Sequence, residues 1–77
     1  MASLKEYLKL MEEDAVLRDM LTRDPGGTLT QARISLEDKK LLESGDPDAI
    51  ARAADVKDLS PAVREVIKQV GKHFAKP

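Results

Sequence analysis

Apolar positions along the chain recur at helical rather than strand spacing. Leu4, Tyr7, Leu8, Met11 and Ala15 fall on one face of a helical wheel, the pattern that turns a stripe toward a core. Ser3 followed three residues later by Glu6 fits a capping box, in which the hydroxyl accepts from an orphan amide and the carboxylate reaches back to the cap. A helix is therefore predicted from Leu4. Past Asp14 the register drifts, with Val16, Leu17, Met20 and Leu21 spread over other faces. Either one helix runs to about Thr22 and is contacted from several sides, or the chain breaks at Asp14, whose carboxylate caps a second short helix. The break is the favoured reading.

Asp24-Pro25-Gly26-Gly27 is predicted to be the clearest loop, because proline cannot continue a helix and paired glycines carry the largest backbone entropy cost. Thr28 to Arg33 is expected to form a helical turn, the weakest of the elements given its two Thr residues and the glycines. Ser35 then caps a better helix, with Glu37 and Asp38 in the first turn where the helix dipole favours negative charge. Gly45 suits a left-handed stop. Asp46-Pro47 restarts the chain as N-cap and first helical residue, with Ala49, Ile50, Ala53 and Ala54 expected inside. Ser60-Pro61 repeats that signal, and Val63, Val66, Ile67, Val70 and Phe74 form a sustained stripe, with Gly71 expected to fray its end. The resulting expectation is an all-α fold, a compact orthogonal bundle of five to six short helices in a single domain spanning residues 1–77.

Composition narrows the chemistry. The chain has 77 residues, which is room for one domain, and is 42% hydrophobic and 35% charged, which suits a soluble fold rather than a disordered tail or a membrane protein. With one Tyr, one Phe and no Trp, the core must be built from aliphatic side chains and Met. Zero Cys and one His remove disulfides, thiolate metal sites, cysteine nucleophiles and multi-histidine metal clusters together. No cofactor is expected. Net charge is only −1, yet Lys57, Arg64, Lys68, Lys72 and Lys76 against Asp58 and Glu65 give the C-terminal segment a local excess of +3, so the remainder carries −4. Residues 1–6 are charged almost at once and include no apolar run of signal-peptide or membrane-spanning length, so a cytoplasmic location is the simplest expectation.

Few residues are candidates for catalysis. His73 stands near the end of the last helix, where it complements the dipole. Glu12-Glu13-Asp14 and Asp46-Pro47-Asp48 sit where helices start or stop, adjacent helical residues point apart, and the calcium-loop pattern is absent. Capping and solvation explain both clusters. Gly26-Gly27 lacks the further glycines and the Lys-Ser/Thr pair of a phosphate loop. A double-glycine export leader cut after Gly27 is a competing reading, with Leu21 and Val16 at leader spacings, although Asp24-Pro25 stands where such leaders present an apolar residue. The last helix, residues 60–75, is amphipathic, and Arg64, Lys68, Lys72 and Lys76 recur along it at i+4. That ridge suits an acidic partner or an anionic membrane surface, or is simply a solvated face whose lysine stems cover apolar edges. A nucleic-acid partner is disfavoured, because no exposed aromatics stand ready to stack bases and the rest of the domain is acidic.

One stretch resembles a known family. Ile34-Ser35-Leu36-Glu37-Asp38-Lys39-Lys40-Leu41-Leu42-Glu43-Ser44-Gly45-Asp46-Pro47-Asp48-Ala49-Ile50 is similar to the capped helix, Gly-Asp turn and short helix of the small domain in the alpha subunit of ring-opening extradiol dioxygenases. The same domain type serves as the leader or recognition domain of borosin peptide precursors. Upstream, Leu4-x-x-Tyr7-Leu8, Asp14-Ala15-Val16-Leu17 and Asp24-Pro25 are similar in spacing to the precursor version, so the likeness covers roughly residues 3–54. It departs at Gly26-Gly27, where family members usually start another helix, and at the charged C-terminal helix, which stands in place of an apolar core peptide.

The resemblance implies a non-catalytic domain that docks on a larger enzyme, either a backbone-modifying methyltransferase acting on a precursor or a dioxygenase subunit that itself carries the iron. The expected contacts are Leu4, Tyr7 and Leu8, the Ser35 to Ile50 segment through Leu41, Leu42 and Ile50, and the basic residues Arg64, Lys68 and Lys72. The partner is expected to be a protein, with a membrane surface ranked behind it. The scarcity of reactive groups argues against an enzyme.

Overall fold

Six polar side chains, each one residue ahead of a helix, set the architecture. The computed structural model describes residues 2–75 and contains α1 (Leu4–Glu13), α2 (Ala15–Arg23), α3 (Pro25–Gln31), α4 (Leu36–Glu43), α5 (Pro47–Ala54) and α6 (Pro61–Phe74). Their N-caps are Ser3, Asp14, Asp24, Ser35, Asp46 and Ser60, and every one of these side chains accepts from an amide in the first turn. The fold is all-α, with no strand among the described residues.

The capping box at α1 is reciprocal. Ser3 Oγ accepts from the Glu6 amide at 3.1 Å, and the Glu6 carboxylate accepts from the Ser3 amide at 3.0 Å. The Ser3 amide, and after it the Ser3 hydroxyl, hold the Glu6 carboxyl below its ordinary value.

Asp14 and Asp24 each end one helix and begin the next. The Asp14 amide still donates to the Leu10 carbonyl at 2.8 Å, while its Oδ1 accepts from the amides of Val16 at 2.9 Å and Leu17 at 3.2 Å. The break expected at Asp14 is present. Asp24 repeats the arrangement, its amide donating to Met20 and its carboxylate accepting from Gly27. The chain thus changes direction twice with no intervening loop. Arg18 closes the first corner, its guanidinium donating to the free carbonyls of Met11 at 2.6 Å and Glu12 at 3.0 Å at the end of α1.

Here one expectation is corrected. Asp24-Pro25-Gly26-Gly27 is not a loop but the start of α3. The reason is the same pair that starts α5 and α6: a polar cap followed by proline at a position whose missing N–H costs nothing. With Asp24 holding the Gly27 amide, both glycines are spanned by the first turn, and Thr28 Oγ1 anchors the helix by donating to the Met20 carbonyl at 3.1 Å.

The longest helix, α6, packs against α1, α2, α4 and α5, and α2 also carries α3. Leu8, Met11, Leu21, Ile50, Val63 and Ile67 are completely enclosed at its centre. Each such side chain contributes on the order of 1.5–3 kcal/mol by burial, which explains how a core without Trp or Phe suffices. The Cα radius of gyration is 11.0 Å, against about 11.5 Å expected for this length.

Several inward and outward assignments change. Leu4, Tyr7, Leu8 and Met11 are buried, but Ala15, beyond the Asp14 corner, is exposed. In α5 the buried residues are Pro47, Ile50, Ala51 and Ala54, with Ala53 outside and Ala49 half-buried. In α6, Val63, Val66, Ile67 and Val70 are buried while Phe74 turns outward.

Gly71 does not fray the helix. It is buried against Gly45, and a Cβ on Gly71 would stand 2.5 Å from the Gly45 Cα. Gly45 also takes φ +71° as the expected left-handed stop after α4. Two glycines therefore let the end of α4 and the last turns of α6 touch backbone to backbone.

Candidate functional site

The residues expected to meet a partner separate into three groups in the structure. Leu4, Tyr7, Leu8, Leu42 and Ile50 lie in the core, and Ile50 is 0% exposed. As packed they hold the domain together and offer almost no surface. Leu41 is half-buried against the same cluster. The apolar stripe that identified them marks the inward face of each helix.

The second group is the basic ridge of α6. Arg64 is engaged, its Nη2 donating to Asp48 Oδ1 on α5 at 3.0 Å. Both side chains are well solvated, so the pair contributes at most about 1 kcal/mol. Lys68 and Lys72 are exposed and form no ion pair among the described residues, while Lys76 lies outside those residues. His73 is exposed and meets Phe74 edge-on, with ring centroids 4.9 Å apart. The third group is Gly27, half-buried in the first turn of α3 with its amide held by Asp24. A protease reading an extended segment would have to unwind α3 to reach the bond after it.

No group of three or more His, Asp or Glu stands together as a metal site among the described residues. Tyr7 carries a different anomaly. Its ring is 6% exposed and its hydroxyl is buried without a hydrogen-bond partner among the described residues, so burial raises its pKa above the usual 10.

What α1 does offer outward is a cleft beside its buried stripe. Asp55 ends α5 in the left-handed conformation at φ 56°, and the Val56 amide bonds back to Ala51 at 2.9 Å, so the chain reverses sharply. The following link runs along α1. It ends where the Ser60 amide donates to Glu12 Oε2 at 2.9 Å, a bond that seats the start of α6 on the end of α1. Between the two segments is a cleft of about 240 Å³, with half-buried Val56 on its apolar wall and the buried Leu8 and Leu59 behind it. Lys5, Lys9, Glu12 and Asp58 complete the lining, two charges of each sign.

That arrangement suits an apolar side chain presented by a polar segment. The apolar wall would accept the side chain, and the charges of both signs around it would meet polar groups on either side. The sequence pattern missed the cleft because Val56 and Leu59 lie in a connection with no helical period, and only the fold brings them beside Leu8.

Comparison with known proteins finds no matching family model, curated protein or solved structure. No helix among the described residues is long and apolar enough to cross a membrane.

Proposed function

We propose that the chain is a non-catalytic helical recognition domain that docks on a partner enzyme, most like the leader or recognition part of a ribosomally made, post-translationally modified peptide. The observation that supports this reading is the cleft between α1 and the α5–α6 link, where half-buried Val56 stands over Leu8 and Leu59 and is surrounded by Lys5, Lys9, Glu12 and Asp58. The resemblance over residues 34–50 supplies the class of partner, a backbone-modifying enzyme or another maturase, and the enzyme inserts an apolar side chain flanked by polar groups. An accessory role beside a ring-opening dioxygenase uses the same docking logic with a larger iron-containing chain as partner.

Binding of the full chain to the methyltransferase or maturase encoded beside it, followed by titration calorimetry, tests the reading. Micromolar affinity is expected, with a loss of about tenfold or more in Val56→Asp, because a charge would then be desolvated in the recess. No binding by any neighbour-encoded enzyme, or undiminished binding by Val56→Asp, refutes it. A second reading, an adapter acting through α6 on acidic partners, is favoured by the exposed Lys68 and Lys72. Reversing both charges should abolish that association and leave docking at the α1 cleft intact.

A further inference from the structure

A second apolar groove lies between α3 and α4, with Phe74 of α6 beside it. Gly26, Leu29 and Thr30 line one wall, and Leu36, Lys39 and Glu43 the other. Leu36 is 68% exposed and Phe74 36% exposed, so two large apolar side chains face water beside the same recess. Lys39 and Glu43 stand one turn apart on α4, and neither forms an ion pair among the described residues.

We propose that this groove is a self-association surface and that its occupant is a second copy of the chain. The charges decide between occupants. Two antiparallel copies of α4 related by a dyad between residues 39 and 43 set Lys39 of each chain opposite Glu43 of the other, so one helix supplies both halves of a pair that closes twice. The same dyad brings the Leu36 end of one α4 to the Glu43 end of the other. Phe74 lines the same groove, three residues beyond Gly71, which packs on Gly45 just past α4. Leu36 and Phe74, which line one groove, are then covered together by the other copy. Because α4 has 8 residues and is only about 12 Å long, the contact is short. The dimer is accordingly weak and forms at high protein concentration.

Sedimentation equilibrium of the full chain, from low micromolar to about 1 mM, reads the association, that range being set by the modest size of the contact. A monomer–dimer equilibrium is expected, and a monomer throughout overturns the proposal. Lys39→Glu and Glu43→Lys each place like charges opposite one another twice, so each should weaken dimerisation by about tenfold. The double variant carrying both changes restores the pairing and should return the constant to near its original value. Dimers indifferent to the single reversals, or not restored by the double, overturn this surface. Leu36→Glu should abolish dimerisation, with circular dichroism verifying the helical content of every variant. The α1 cleft is untouched by these changes, so enzyme docking and self-association fail or survive separately.

Discussion

Replacing Gly71 by alanine should destabilise this protein, although the same change inside a helix is ordinarily favourable. Gly71 lies within α6, where alanine brings a gain of up to about 1 kcal/mol from helix propensity. Against that gain stands the Gly45 contact. The new methyl would stand 2.5 Å from the Gly45 Cα, 3.2 Å from the Gly45 nitrogen and 3.3 Å from the Ser44 carbonyl oxygen. All three are backbone atoms, so no rotamer change can relieve the clash, and the α4 turn must separate from α6. Overpacking of this kind costs about 1–3 kcal/mol, and more where the neighbours are rigid. A net loss of about 1–2 kcal/mol follows, equivalent to a fall in Tm of roughly 5–15 °C for a domain of this size. Thermal and urea unfolding followed by far-UV circular dichroism measure it. Gly26→Ala is the control, since a Cβ there meets nothing within 4 Å, and it should stabilise by about 0.4–1 kcal/mol. An unchanged or raised Tm in Gly71→Ala would show that the two backbones do not constrain each other.

Other outcomes follow from single polar groups. Tyr7→Phe removes a buried hydroxyl with no partner, so it should be neutral or stabilising by up to about 1 kcal/mol in urea melts. Because burial raises the Tyr7 pKa, the unfolded chain ionises first, and native stability should decline as pH rises above 10. Tyr7→Phe should flatten that alkaline decline. Glu12→Ala strips the acceptor from the Ser60 amide and should cost about 1 kcal/mol, with hydrogen exchange rising first at the start of α6.

Much of the helical layout is legible in the sequence because its signals are local. Ser3, Asp14, Ser35, Asp46 and Ser60 each mark a helix start through the reach of their own side chain to an amide two or three residues on. Asp24-Pro25 carries the same signal, but the following glycines invite a loop reading through their entropy, an average cost that the Asp24 cap and the Thr28 anchor offset in place. The role of Gly71 is not legible, since Gly45 is distant in sequence and its approach is a property of the fold. In α5, Ala51 and Ala53 carry the same side chain two residues apart, so residue type alone does not separate the buried one from the exposed one.

The candidate site is less legible for a related reason. Apolar period identifies the side chains a helix hides, which is why the expected contacts Leu4, Tyr7, Leu8, Leu42 and Ile50 are interior. The outward features depend on non-helical segments or on helix ends meeting in space. Val56 and Leu59 become part of a cleft only when the Asp55 reversal lays them beside α1, and Phe74 joins Leu36 only because α6 terminates over α4. Arg64 belongs to the expected ridge, yet Asp48 claims it through a pairing across two helices.

The corners at Asp14 and Asp24 limit how such a chain can vary in length. A residue added at either point would rotate the following helix by about 100° relative to the one before it. Leu21 would leave the core after an insertion at the first corner, and Leu29 after one at the second. The stretches between α3 and α4 and between α5 and α6 are longer, but each is pinned by a buried side chain, Ile34 in the first and Leu59 in the second, and by a bond to the start or end of α1, Ala2 to Arg33 and Ser60 to Glu12. Natural length variation, and any engineered epitope or fluorophore, should therefore avoid both corners. The first three helices behave as a fixed-length unit, copied whole or not at all.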